Sequence, residues 1–140
     1  MEELILNDVG ISFGKGDSSF WALRNVNLVF PIRGCFAIKG KSGSGKSTLL
    51  NLIAKLLDPT EGHIYFQGKD IAHLKGNQLA DFRLHNIALV YQHYNLISGS
   101  TCLENVALPL LMSGASKRKA NQKAKSLLAS FGLEKFSKKK

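Results

Sequence analysis

Nine consecutive residues, Gly40-Lys41-Ser42-Gly43-Ser44-Gly45-Lys46-Ser47-Thr48, have the types and spacing of a phosphate-binding loop. From Gly40 to Ser47 they fit G-x-x-x-x-G-K-[ST] in full. Glycines at 40, 43 and 45 permit backbone angles that a Cβ resists, so successive N–H groups can turn inward as an anion-holding nest. A helix starting near Lys46 adds unpaired N–H groups and the positive end of its dipole. Lys46 is then placed to reach the β- and γ-phosphates of a nucleotide, and the Ser47 hydroxyl to coordinate Mg²⁺. The competing reading is an ordinary Gly/Ser turn that happens to hold a lysine. The flanking residues argue against it: Cys35-Phe36-Ala37-Ile38 ahead is β-prone, and residues 48–54 behind form an apolar run, as strand, loop and helix require.

The elements that must position this loop follow from pattern. Residues 3–9 alternate as a strand, and residues 26–30 form a second that Pro31 closes, with a Gly/Ser loop at 14–19 between them. Residues 35–39 read as a buried strand feeding the phosphate loop, which makes Cys35 a small core residue. The next helix is expected to end near Leu57, where Asp58-Pro59-Thr60-Glu61-Gly62 is a turn signal and Asp58 a turn residue. Residues 63–66 form a short strand, 67–70 a hairpin-like turn and 77–84 a short helix. Residues 87–91 read as another buried strand, ending at Gln92. Thr101-Cys102-Leu103-Glu104 is a capping box, and Pro109 predicts a kink or stop in the helix it opens. A last helix begins near Ser116, carries Ala120, Ala124, Leu127, Leu128 and Phe131 on one face, and stops at Gly132. The fold class is α/β, with an antiparallel N-terminal portion, a parallel strand pair flanking the loop as the core, and helical material after Gln92.

The 140 residues suit one domain with a real core, and their longest apolar stretches fall far short of a bilayer span. The start, Met1-Glu2-Glu3, is acidic and lacks the pattern of a secretory leader, so a cytoplasmic protein is expected. Cys35 and Cys102 fit neither a zinc pattern nor a disulfide framework. The net charge of +9 is local: residues 1–112 carry 10 Lys/Arg against 9 Asp/Glu, and residues 113–140 carry 9 against 1. That basic stretch could hold nucleic acid or an anionic membrane surface. The plainer expectation is a solvated helix face and a frayed end. No aromatic residue interleaves the lysines of residues 117–125 for base stacking, which weighs against nucleic acid.

Together these residues resemble the ATP-binding subunit, or nucleotide-binding domain, of ABC transporters, and the match covers essentially the whole chain. Beyond the phosphate loop (the family's Walker A), Ala22-Leu23-Arg24-Asn25-Val26-Asn27-Leu28 resembles a strand motif of that family. Leu57 to Gly62 resembles its L-x-P-T-x-G turn. Val90-Tyr91-Gln92 with Asn95-Leu96 is similar to its Q-loop, and residues 101–110 to its T-x-x-E-N-V-x-x-P helix. Within the family the resemblance is strongest to the lipoprotein-release, macrolide and antimicrobial-peptide exporter branch. The resemblance implies a P-loop NTPase core of ABC type, truncated: one incomplete domain, with residues 1–91 holding the β portion and loop core and 92–140 the Q-loop and the start of the helical subdomain. It implies ATP and Mg²⁺ as ligands, held by Gly40, Lys41, Ser42, Gly43, Ser44, Gly45, Lys46, Ser47 and Thr48. Phe13 would stack on adenine, with Phe20 and Trp21 as rivals and a core aromatic as the plain alternative. Gln92 would join Ser47 at Mg²⁺ or touch the attacking water. Lys41 departs mildly from the family, which often has a small residue there. The implied partners are a second nucleotide-binding subunit, most simply a homodimer, and transmembrane permease subunits at the inner face of the cell membrane.

The family's L-S-G-G-Q signature, the apolar strand ending in Asp-Glu (Walker B) and the switch histidine do not occur in these residues. Residues 97–101 and 112–116 imitate a signature only superficially. Lys46 and Gln92 alone would contribute to catalysis, so the 140 residues are expected to bind ATP weakly and not to hydrolyse it unaided. A truncated sheet would also leave an unpaired edge. The histidines, His63, His73, His85 and His93, are scattered, with no carboxylate at a spacing that suggests a metal or acid/base cluster. A small-molecule kinase is a weaker reading, since residues 76–112 contain only Arg83 for a lid.

Overall fold

Strand β1 (Glu3–Phe13) is the spine of a four-stranded antiparallel sheet. The structure, a computed structural model, describes residues 3–31 and 33–140; the acidic start at Met1 and Glu2 lies outside them. β1 pairs with β2 (Phe20–Pro31) on one side and β3 (Glu61–Phe66) on the other, and β4 (Lys69–Asp70) extends β3. The described residues divide into two compact units, one ending at Ala88 and the other running from Leu89 to Lys140.

Leu6, Val9 and Ile11 are all buried on β1, although a strict period of two would send Leu6 and Val9 to opposite faces. A bulge reconciles them. The pairing with both neighbours slips between Leu6 or Asn7 and the residues beyond, and Asp8 takes a positive φ of 48°. Asp8 is turned outward onto Asn27, whose Oδ1 accepts from the Asp8 N–H at 2.9 Å and whose Nδ2 donates to the Asp8 carboxylate at 2.8 Å. Gly62 faces the bulge with φ +79°, where an added Cβ would lie 2.2 Å from the Asp8 carbonyl oxygen. Only glycine fits there.

The buried face of the sheet meets Leu49 and Leu52 of helix α1 (Lys46–Ile53), with Ile64 and Ile71 completing the cluster. Fully burying each such aliphatic side chain contributes about 1.5–3 kcal/mol. Helix α2 (Gly76–Asn86) adds Phe82, edge-on to Phe66 at 5.4 Å. α1 ends earlier than the sequence suggested. Lys55 adopts φ 57°, its N–H reaches Leu52 O at 2.9 Å, and the Leu56 N–H reaches Asn51 O at 2.8 Å. This is a Schellman cap with lysine where glycine is usual. The side chain explains the choice: it is buried, with its ammonium paired to Asp58 and donating to Ala72 O at 2.9 Å. The Lys55 carbonyl in turn accepts from the Arg83 guanidinium. Asp58 is thus more than a turn residue.

In the second unit, helices α3 (Cys102–Met112) and α4 (Lys117–Ser130) pack through Ala107, Ala120 and Ala124. The capping box forms as expected: the Glu104 N–H donates to Thr101 Oγ1, and the Glu104 carboxylate accepts from the Thr101 N–H at 2.7 Å. Both helices end in Schellman turns, at Gly114 and Gly132. Pro109 does not stop α3, which continues to Met112. The apolar face of α4 is narrower than expected: Leu128 is buried with the alanines, but Leu127 and Phe131 are exposed. One partner helix covers a single i, i+4 stripe, and those two residues sit on its shoulder. The basic end is not frayed either, since the Cys102 N–H donates to Lys139 O at 2.8 Å and the Leu103 N–H to Ser137 O at 3.0 Å. Those carbonyls satisfy two donors that every helix start leaves open.

The expected parallel strand pair is absent among the described residues: 35–39 and 87–91 form no strand. Extended chain becomes strand only when a neighbour takes its N–H and C=O groups, and no described segment does so for either stretch. Cys35 is consequently exposed rather than a core residue, as are Phe36 and Ile38, and Val90 is 99% exposed. No helix among the described residues is long and apolar enough to cross a membrane.

Candidate functional site

The phosphate loop joins residues 35–39 to the first turn of α1. Gly43 and Gly45 take φ values of +79° and +84°, the left-handed region that lets consecutive N–H groups face inward. Gly45 is also the N-cap of α1, and it has no side chain to cap the helix. The first N–H groups of α1, at Lys46, Ser47 and Thr48, therefore have no acceptor from the cap side chain and are free for an anion. Gly45 packs closely as well: a Cβ there would lie 2.6 Å from Leu23 Cδ2 and 2.9 Å from Ala22 O, so β2 sets the height of the helix start. At Gly40 a Cβ would lie 2.6 Å from Ser44 Oγ.

Lys46 arches back over the loop. Its Nζ donates to Gly40 O at 3.0 Å, Lys41 O at 2.6 Å and Ser44 Oγ at 3.3 Å, while Ser44 N donates to Lys41 O at 3.3 Å. Gly40, Lys41, Ser42, Gly43, Ser44 and Ser47 are exposed, so the loop is open to solvent along its length. An exposed loop with glycines at positive φ, a helix start behind it and an ammonium over it is suited to a polyphosphate.

The family model described as ABC transporter matches residues 23–140, which begin in β2 and take in this loop. The chain belongs to the ABC transporter family. Among its relatives, the methionine import ATP-binding protein MetN of Vibrio cholerae serotype O1 is 40% identical over 91% of this chain and 37% of its own length. The macrolide export ATP-binding/permease protein MacB of Pasteurella multocida is 37% identical over 92% of this chain and 20% of its own. The lipoprotein-releasing system ATP-binding protein LolD of Geobacter metallireducens is 38% identical over 90% of this chain and 56% of its own. The ABC transporter chain also resembles a solved dimeric post-hydrolysis structure of the ATP-binding cassette MJ0796 bound to ADP and Pi, with TM-score 0.79 and 35% identity over 96% of this chain and 60% of that one. This chain spans well under half the length of MetN and MacB. The family and the fold class expected from the sequence both hold, and two of these relatives carry the macrolide-export and lipoprotein-release names.

The other expected site residues are distributed as follows. Phe13 is half-buried, packs against the core cluster, and stands opposite Phe20 with ring centroids 6.0 Å apart. Phe20 and Trp21 are more exposed, and Arg24 lies over the Trp21 ring at 5.2 Å. Gln92 is exposed in the loop that opens the second unit, whereas the phosphate loop belongs to the first. His93 is exposed too, as expected of a loop residue.

One constellation escaped the sequence. His63, Asp70 and His73 place one ligand atom each within 4.8 Å of one another, so these histidines do have a carboxylate between them. The signal was the two-residue turn at Gln67-Gly68. It sets Tyr65 opposite Asp70, and the period of two then brings His63 to the same face, diagonal to Asp70.

Proposed function

We propose that this ABC transporter chain is the phosphate-holding part of a transporter's ATP-binding subunit, which couples ATP binding and hydrolysis to transport through membrane permease subunits. The observation that carries the reading is the loop from Gly40 to Thr48, with glycines at positive φ and Lys46 at its rim. Lys46 and the helix-start N–H groups would hold the β- and γ-phosphates, and Ser47 would supply the hydroxyl for Mg²⁺. Phe13, with Phe20 and Trp21 beside it, would offer the aromatic surface for adenine. The working protein would be a homodimer of such subunits, cytoplasmic and peripheral at the inner face of the membrane.

Catalysis needs a carboxylate partner for Mg²⁺ and an oriented water as well as a held phosphate. These 140 residues contain neither the Asp-Glu strand nor the signature, so they bind ATP without turning it over. The test is nucleotide binding and phosphate release by the chain and by Lys46→Ala. Saturable Mg²⁺-ATP binding that Lys46→Ala weakens ~30-fold or more, with no turnover, is expected from the loss of one ammonium beside phosphate. Phosphate release at a transporter-ATPase rate that Lys46→Ala abolishes would overturn the second part. Failure of the chain to bind nucleotide at all would overturn the first. The lysines of α4 are all exposed, as a solvated face requires, and carry no separate function in this reading.

A further inference from the structure

We propose that His63, Asp70 and His73 form a Zn²⁺ site on the β3–β4 hairpin, apart from the phosphate loop. The three residues come from one compact stretch: His63 from β3, Asp70 from β4, and His73 from the turn leading to α2. Asp70 is the fixed member. Its Oδ1 accepts from the Ala72 N–H at 2.8 Å, which orients the carboxylate and leaves Oδ2 facing both rings. Oδ2 lies 2.8 Å from His63 Nδ1 and 3.6 Å from His73 Nε2. Ligand atoms around a tetrahedral Zn²⁺, with bonds of about 2.0–2.2 Å, sit ~3.4 Å apart. The 2.8 Å contact is a hydrogen bond that a metal ion would replace, and all three ligand atoms lie within 4.8 Å of one another, so small shifts of the two exposed histidine rings would bring the set to that spacing.

The chemistry fits the ion. Two imidazoles and a carboxylate are a nitrogen/oxygen donor set of the kind zinc takes when three protein ligands leave a fourth position to water. The Ala72 bond is the outer contact that holds a ligating carboxylate in place. The His63 ring is steadied by stacking on Tyr65, with centroids 6.0 Å apart and planes 29° apart. Burial is the largest influence on the Asp70 carboxyl and pushes its pKa up, but the hydrogen bonds from Ala72 and His63, with the nearby charge of His63 and His73, more than offset it and hold Asp70 below the usual carboxylate range. The histidine side chains are 51% and 83% exposed, so an ion reaches them without opening the fold. Bound metal would tie the strand, the hairpin return and the turn before α2 into one unit, and raise that unit's melting temperature.

The test titrates the untagged, metal-free chain, without nucleotide, with Zn²⁺ by calorimetry and with Co²⁺ by visible absorption. One equivalent of Zn²⁺ is expected to bind, and Co²⁺ to show the absorption of a four-coordinate site that zinc then displaces. His63→Ala and His73→Ala should each weaken binding roughly ten-fold or more. His85→Ala, Cys35→Ser and Cys102→Ser should leave it unchanged. Because His73 is exposed, its variant keeps the fold, which circular dichroism verifies. No saturable Zn²⁺ binding, or binding that survives both histidine changes and is lost with a cysteine, would overturn the proposal.

Discussion

Gly62 and Gly68 offer a matched pair for testing how the β unit is held. Their φ values are nearly equal, +79° and +77°, but their surroundings differ. An added Cβ at Gly68 meets nothing within 4 Å, whereas at Gly62 it lies 2.2 Å from Asp8 O and 2.6 Å from Asn7 O. Alanine at either position incurs the left-handed backbone penalty, about 1–2 kcal/mol. At Gly62 it must also push β3 away from the backbone of the bulge, an overpacking cost of about 1–3 kcal/mol. Gly62→Ala should therefore destabilise by roughly 2–5 kcal/mol, a large share of the total for a unit of this size, on the order of 4–13 kcal/mol. The single tryptophan, Trp21, lies on β2 of the same sheet, so its fluorescence follows urea and thermal unfolding of this unit. At about 4–8 °C per kcal/mol, Gly62→Ala should melt roughly 5–20 °C below Gly68→Ala. Equal losses in the two variants would show that the Gly62 contact with the bulge has no energetic role.

Three further outcomes follow from the loop and the caps. Gly45→Ala should lower stability by roughly 1–3 kcal/mol and weaken nucleotide binding in parallel, because Leu23 and the positive φ both oppose a Cβ; urea unfolding and ATP titration of the same variant test it. Glu104 accepts hydrogen bonds from the Thr101 backbone and side chain, which hold its carboxyl below the usual range, with Lys140 and Lys117 adding to the effect. A depressed folded pKa gives stability that is present at neutral pH and lost as pH falls through the ordinary carboxylate range and then the folded value. Glu104→Gln should flatten that acid limb for the α3–α4 unit, as followed by amide exchange across α3. Thr101→Ala should cost about 1 kcal/mol and speed exchange at the Glu104 amide, whose acceptor it removes.

What the sequence made legible was local. The phosphate loop, the Thr101 capping box, the Gly132 stop and the strands β1 and β3 are each specified by residues a few positions apart, and each appears near its expected place. The reading failed where an outcome depends on distant partners. Residues 35–39 have strand composition, but a strand exists only where a neighbour accepts its hydrogen bonds, so Cys35 is exposed and Phe36, edge-on to Phe30, stays half exposed. Nothing in the residues around Lys55 marks it as buried. It is buried because Asp58 and the Ala72 carbonyl are folded around it, which no helical periodicity reveals. The His63–Asp70–His73 cluster lay within reach of pairing parity, and was lost because spacing along the chain hides what a two-residue turn brings together.

Lys46 is already engaged in the free loop, with three of the chain's own oxygens around its ammonium. A phosphate held here would therefore compete with oxygens that the chain itself supplies, and the affinity would measure an exchange, the gain on phosphate less the release of Gly40 O, Lys41 O and Ser44 Oγ. Removing the Ser44 hydroxyl would lighten one side of that exchange without touching the ammonium.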